Sequence, residues 1–337
     1  MANVLISGYY GYGNFGDEAI LSVVVDYLRR KNHKITVLSG NPRRTAKSLG
    51  VNAVKNFNLL GIMIAMANCD ILISGGGSLL QDVTSLKSLK YYSFIIRLAQ
   101  KMNKKIVIFA QGIGPLNSEY AKKNVPLLLS KCDIVTVRDE KSLEFLKENG
   151  IDAQLVSDPL FSVELPINES KGAVGVQLRA FKNIDDIFLH NLVEYIAEHF
   201  GERKIELFVL QESLDYPICK KFEKILKKTA PYIETEIIHN MSQNDIIIRI
   251  SQLDYMIAMR FHAVLVAIKT GVKTLAINYD AKVAKLAYEA MLPLLTISVD
   301  TEWQTAFETL KQLDSQRILD FANTQHFDWS IFDDIVN

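Results

Sequence analysis

Arg260-Phe261-His262 places a guanidinium and an imidazole two residues apart, between the apolar runs Tyr255 to Ala258 and Ala263 to Ile268. A strand followed by a buried helix fits those runs, so the motif falls on a strand-to-helix turn. Backbone N–H groups and the positive helix end converge at such a turn, and an Arg fork beside them suits phosphate or carboxylate. An anion site is the economical reading. His262 alone would pass for a core or capping histidine, but its turn position beside Arg260 moves it toward function, because imidazole exchanges protons near neutral pH. His33, His190, His199, His239 and His326 lack such company. Arg138, Arg179 and Lys282 follow other expected strands and add positive charge from both halves, although each also fits an ordinary salt bridge.

Gly11-Tyr12-Gly13-Asn14-Phe15-Gly16 matches the dinucleotide pattern G-x-G-x-x-G, between a strand and a helix. Two features oppose that function. The second strand closes on Ser39-Gly40 without an acidic residue for a ribose, and Asp17-Glu18 sit where a pyrophosphate needs positive potential. Glu18 divides evenly between helix capping and function. Asp17, in a loop open to ligand, can accept hydrogen bonds from sugar hydroxyls or take a proton from one, and Asn14 suits the same hydroxyls. Gly75-Gly76-Gly77 gives a second close backbone approach, followed by Gln81 and Asp82, which read equally as ligand contacts or as a solvated helix face.

These residues need a frame. Val- and Ile-rich runs at 4–7, 35–38, 71–74, 106–110 and 134–137 alternate with amphipathic segments at 17–31, 86–102, 118–131 and 140–149. That is the rhythm of a parallel sheet covered by helices. A linker with Pro166, Asn168 and Ser170 follows, and the rhythm restarts with strands at 173–177, 205–210, 237–238, 255–258 and 274–277 and helices including 187–200 and 217–229. The expected architecture is α/β: two Rossmann-like domains facing a cleft, over 1–165 and 172–300. A helical segment over 301–337, with Trp303, Trp329 and Phe332, packs back across the interface. Most of the candidate residues follow a strand at its carboxyl end, where such sheets bind ligands.

Bulk properties bound the function. The chain has 337 residues, with Lys plus Arg balancing Asp plus Glu at 38 each, which argues against a nucleic-acid scaffold. Cys69, Cys132 and Cys219 are far apart and lack metal-ligand or redox spacing, so they read as reduced core thiols. No zincin, P-loop, EF-hand or G-x-S-x-G pattern occurs, which argues against metal and serine-nucleophile chemistry. The start lacks a signal-peptide pattern and no apolar run reaches spanning length, which points to the cytoplasm and stays compatible with a peripheral membrane contact.

Taken together, G-Y-G-N-F-G-D-E (Gly11 to Glu18), G-G-G-S-L-L-Q-D (Gly75 to Asp82), Q-G-I-G-P (Gln111 to Pro115), V-R-D-E (Val137 to Glu140), S-D-P (Ser157 to Pro159) and M-R-F-H-A (Met259 to Ala263) resemble the polysaccharide pyruvyl transferase family. The similarity covers residues 1 to about 290 in the same order, and S-L-K-S-L-K-Y-Y at Ser85 to Tyr92 looks closest to its CsaB-type branch. The resemblance implies a GT-B-like fold, phosphoenolpyruvate as donor and no cofactor. It implies a pyruvate ketal formed across two hydroxyls of one sugar in a cell-wall precursor, a lipid-linked disaccharide for the CsaB-type branch, at the inner face of the membrane. The R-x-H motif for the donor falls on Arg260, the Phe261 backbone and His262. The V-R-D arginine falls on Arg138 and the G-D-E aspartate on Asp17. Arg179 and Lys282 complete the expected donor set; Asn14, Asp17, Gly76, Gln81 and Asp82 form the acceptor set, with His262 and Asp17 as acid and base. Two positions depart from the family pattern: Phe261 replaces a leucine, and Ala281 replaces a proline in Tyr279-Asp280-Ala281-Lys282. A nucleotide-sugar glycosyltransferase of the same architecture is the rival enzyme reading. A non-catalytic sugar or phosphate sensor is the third.

Overall fold

A computed structural model describes residues 1–83, 85–182, 184–297 and 302–333. The chain begins β1 (Asn3–Ser7), α1 (Phe15–Arg30), β2 (Lys34–Ser39), α2 (Pro42–Leu49), β3 (Asn52–Lys55), α3 (Leu59–Asn68) and β4 (Ile71–Gly75). It continues α4 (Leu86–Lys101), β5 (Lys105–Gln111), α5 (Glu119–Leu129), β6 (Ile134–Val137), α6 (Glu140–Glu148) and β7 (Gln154–Leu155). The strands form one parallel sheet in the order β3-β2-β1-β4-β5-β6-β7. Both faces are covered, which is why the central strands read as unbroken apolar runs. Val4, Ile6, Ile73 and Phe109 turn toward Ile20, Leu21 and Val24 of α1. Leu5, Leu72 and Ile108 turn to the other face, against Ile62 of α3, Ile95 of α4 and Val125 of α5. The sheet order reverses between β1 and β4, and the loops after those two strands open the ligand-binding edge.

The second half repeats the plan: β8 (Ala173–Gln177), α7 (Asp186–Phe200), β9 (Ile205–Phe208), α8 (Glu212–Thr229), β10 (Thr235–Ile238), α9 (Gln243–Ser251), β11 (Leu253–Ala258) and α10 (Phe261–Lys269). After them come β12 (Lys273–Asn278), α11 (Ala281–Glu289), β13 (Leu294–Thr296), α12 (Trp303–Gln312) and α13 (Ser315–Thr324). Its parallel order is β10-β9-β8-β11-β12-β13, reversing between β8 and β11. Each half is therefore Rossmann-like, as its rhythm predicts. Ala263 to Ile268 of α10 are all buried, which accounts for a helix with no polar face.

Two compact units result, one of Met1–Val163 with His326–Asn337 and the other of Glu164–Gln325. This divides the helical segment expected over 301–337, whose boundary at 300/301 lies outside the described residues. Helices α12 and α13 belong to the second unit, where Trp303 stacks on Tyr195 of α7 at 5.5 Å. Only the tail crosses back: Phe327 and Phe332 pack on Phe109 of β5, with ring centroids 5.4 and 5.2 Å away. A second correction concerns α8. The helix expected over 217–229 begins earlier, at Glu212, and Pro217 lies inside it. The buried carboxylate of Asp215 accepts from the backbone N–H groups of Leu210 and Gln211, both at 2.9 Å, and anchors the earlier start.

Candidate active site

In the second unit β8 and β11 are neighbours at the reversal, and the residues that follow them gather around Asp215. Gln177 ends β8; its Oε1 accepts from the Arg260 backbone N–H at 2.8 Å and its Nε2 donates to Asp215 Oδ2 at 3.2 Å. Arg260 follows β11 and is itself buried, 7% exposed. Its Nε donates to both Asp215 oxygens at 2.8 and 3.1 Å, and its Nη2 donates to Asp215 Oδ1 at 2.6 Å and to Gln211 Oε1 at 3.0 Å. The described hydrogen bonds thus hold one edge of the guanidinium and leave Nη1 outside them. A charge-assisted pair of this geometry fixes the orientation of the plane, so an anion arriving at Nη1 meets a donor already in place. Arg260 is also the N-cap of α10, and no side chain caps that helix. Phe261 and His262 therefore open a helix whose start lacks an acceptor from its own cap, as an anion site requires. The His262 ring lies edge-on to Phe261 at 5.2 Å.

Arg179 lies just beyond β8, stacked over the Tyr279 ring at 5.5 Å, and its buried Nε has no hydrogen-bond partner. Lys282 lies in the first turn of α11, its backbone N–H donating to the N-cap Asp280 at 2.9 Å. Arg179, Arg260, Phe261, His262 and Lys282 thus share one end of one sheet. Arg138 belongs to the first unit, after β6, paired with Asp158 at 3.4 Å, and its buried Nε has no hydrogen-bond partner. The expected donor set is therefore divided between the units.

In the first unit Asn14 caps α1, and its Nδ2 donates to Asp17 Oδ2 at 2.5 Å. Asp17 is 8% exposed and lies against Gly77, where a Cβ would come within 2.8 Å of Oδ1. A Cβ at Gly76 would come within 3.0 Å of the Tyr10 hydroxyl, which donates to Gly75 O at 2.6 Å. Burial raises the phenols of Tyr9 and Tyr92, and the Asp17 charge adds to it, so both stay protonated and able to donate. Gln81 is half-buried on the same loop. Asp82, expected among the acceptor contacts, instead ties down a loop: its oxygens accept from Asn117 N at 2.8 Å and Ser118 N at 2.7 Å. Those bonds hold its carboxyl below the usual range.

Glu18 resolves the ambiguity of the glycine pattern. Its Oε1 accepts from Gly11 N at 2.7 Å, and Gly13 and Tyr12 also present N–H groups to it. The amides that would cradle a pyrophosphate are engaged by the chain's own carboxylate. Burial still raises the Glu18 carboxyl, against the opposing pull of those amides and of Arg44. The three cysteines are free, and burial pushes their thiols up, Cys69 to about 11 and Cys132 and Cys219 to about 12.

Gly77→Ala follows as a test of the Asp17 pocket. The added methyl meets Asp17 Oδ1, at a backbone φ of 74° that disfavours any side chain. Displacing Asp17 in this way is expected to lower turnover about 100-fold, with modest loss of thermal stability. Wild-type turnover would separate Asp17 from the reaction.

Comparisons place this geometry among known proteins. A family model described as polysaccharide pyruvyl transferase matches residues 14–281. No curated protein matches the chain in sequence. Among solved structures, a putative UDP-N-acetylglucosamine 2-epimerase from Listeria monocytogenes is 11% identical, with a TM-score of 0.64 over 96% of this chain and 91% of that one. Anabaena HepE in complex with UDP and glucose is 10% identical, with a TM-score of 0.63 over 99% and 98%. A glycosyltransferase from Rickettsia africae is 11% identical, with a TM-score of 0.62 over 98% and 95%. At such identities these structures share the fold, which is of the GT-B type.

Proposed function

Since the chain belongs to the polysaccharide pyruvyl transferase family, we propose that it transfers pyruvate from phosphoenolpyruvate to a sugar of a cell-wall polysaccharide precursor of the CsaB-type, lipid-linked class. The observation that carries this reading is the Arg260 guanidinium, fixed along one edge by Asp215 and Gln211 at the start of an uncapped helix. A small trianionic donor needs several charge-assisted bonds concentrated at one place in a neutral protein. Phosphate binds at Arg260 and the start of α10, with Arg179, Lys282 and Arg138 adding positive charge.

The chemistry then follows from the enol phosphate. His262 protonates the methylene carbon of phosphoenolpyruvate, leaving an oxocarbenium-like centre at the carbon that bears phosphate. A sugar hydroxyl attacks that carbon and gives its proton to Asp17, with Asn14, Gly76 and Gln81 orienting the acceptor. Expulsion of phosphate regenerates the electrophile, and a second hydroxyl of the same sugar closes the ketal. Overall, one hydroxyl proton is transferred to carbon and the other to phosphate. The competing glycosyltransferase reading shares this architecture, and the family match over residues 14–281 is what favours pyruvyl transfer over it.

Phosphate release from phosphoenolpyruvate in the presence of candidate lipid-linked precursors, with the product followed by mass, tests the reading. Turnover is expected to continue in excess EDTA, because arginines and a helix terminus meet the phosphate charge. Loss in EDTA that a divalent ion restores, or tight nucleotide-sugar binding without any binding of phosphoenolpyruvate, would overturn it.

A further inference from the structure

Helix α3 presents an unusual surface. Of its ten residues only Ile62 and Met66 are buried, whereas Leu59, Leu60, Met63 and Ile64 are exposed, Leu60 at 70%. A surface helix ordinarily turns a charged face to water, but between Lys55 and Asp70 the sequence has no charged residue. Phe57, 73% exposed, precedes the helix at a φ of 69°, a left-handed backbone that a bulky side chain adopts only under constraint. Its ring rests on Tyr91 of α4 at 4.7 Å, and exposed Phe94 follows on the same helix. Phe57 thus links the exposed aliphatic side chains of α3 to α4, on which Phe94 is also exposed.

The charge around the patch indicates its partner. Lys55 comes just before Phe57, Lys87 lies one turn before Tyr91, and Lys104 donates to Ala67 O at the end of α3, at 3.0 Å. From Tyr27 to Ser118 the sequence carries fourteen Lys and Arg against two acidic residues, Asp70 and Asp82. Both carboxylates are turned to backbone N–H groups, Asp70 to Asn3 and Asp82 to Asn117 and Ser118. In a chain of zero net charge this is a strong local excess. At ten residues α3 cannot span a bilayer, but a short uncharged helix with cations at its rim suits the boundary between acyl chains and anionic headgroups.

We propose that Phe57, Phe94 and the exposed face of α3 dock the first unit onto the surface of an anionic lipid bilayer. This goes beyond the transferase reading and does not depend on it, since docking needs neither donor nor acceptor. The full chain is expected to sediment with vesicles of phosphatidylglycerol and phosphatidylcholine, and to bind pure phosphatidylcholine vesicles weakly. Leu60→Gln with Ile64→Gln, both at exposed positions, should lower partitioning at least tenfold while the circular dichroism spectrum and melting temperature are retained. Lys55→Gln with Lys87→Gln should lower it by a similar factor on anionic vesicles only. The proposal is overturned by absence of vesicle binding, by binding that neither pair of substitutions alters, or by a wild-type dimer that Leu60→Gln with Ile64→Gln converts to monomer. The last outcome would assign the patch to a second copy of the chain.

Discussion

Asp215→Ala is expected to cost the second unit about 3–5 kcal/mol, the usual loss when one partner of a buried ion pair is removed. Asp215 is fully buried and accepts from Arg260 Nε and Nη2, Gln177 Nε2 and the backbone N–H groups of Leu210 and Gln211. Without it, a nearly buried guanidinium loses its counter-charge and two backbone donors lose their acceptor. For a unit of this size the loss corresponds to a fall in Tm on the order of 10 °C. Asp215→Asn keeps the shape and one acceptor oxygen and should cost less. Because the pair orients Arg260, that milder variant should raise the KM for phosphoenolpyruvate more than it lowers kcat. A denaturant titration that places Asp215→Ala within about 1 kcal/mol of the parent would mean that the pair relaxes or admits water, and that Arg260 is not held as described.

His262→Gln should reduce kcat by ~100-fold to 10,000-fold, the contribution typical of a positioned general acid. Protonating the methylene carbon is the step that makes the donor electrophilic, and imidazole is the side chain whose ordinary range, about 6.5, allows a substantial protonated fraction near neutrality. Glutamine keeps a hydrogen-bond donor of similar reach and cannot deliver a proton to carbon, so donor affinity should change far less than kcat. The contrasting case is a histidine that only binds phosphate. A loss confined to KM, or kcat within a few fold of the parent, would assign His262 to that role instead.

How far the sequence discloses this arrangement depends on where each element sits in its sheet. The central strands β1, β4, β5, β8 and β11 are covered on both faces and stand out as apolar runs. The strands that leave no such run, β3, β7 and β13, are all at sheet edges, and they are short, Gln154–Leu155 and Leu294–Thr296 among them. An edge strand buries less surface and pairs on one side only, so composition does not mark it. The site shows the same division. Arg260, His262 and Asp17 stand out as candidates because each lies where a strand gives way to a helix and its chemistry is apparent locally. Asp215, Gln177 and Gln211 do not, because Arg260 meets them across 45, 83 and 49 residues of chain. Asp82 misleads for a related reason: its partners Asn117 and Ser118 lie 35 and 36 residues away, and without them it resembles a solvated carboxylate.

Glu18 has a thermodynamic consequence. Because it is tethered seven residues from the Gly11 amide it serves, it behaves as a ligand at very high effective concentration, one that dilution cannot remove. The loop between β1 and α1 is thus saturated before any substrate arrives, and its order should be independent of ligand concentration. A nucleotide-binding relative with a free amide cradle would order the same loop only by mass action. With Asp17 beside it in the first turn of α1, the same carboxylate gives this loop a negative potential where an open cradle would be positive, so the backbone carries an internally occupied receptor.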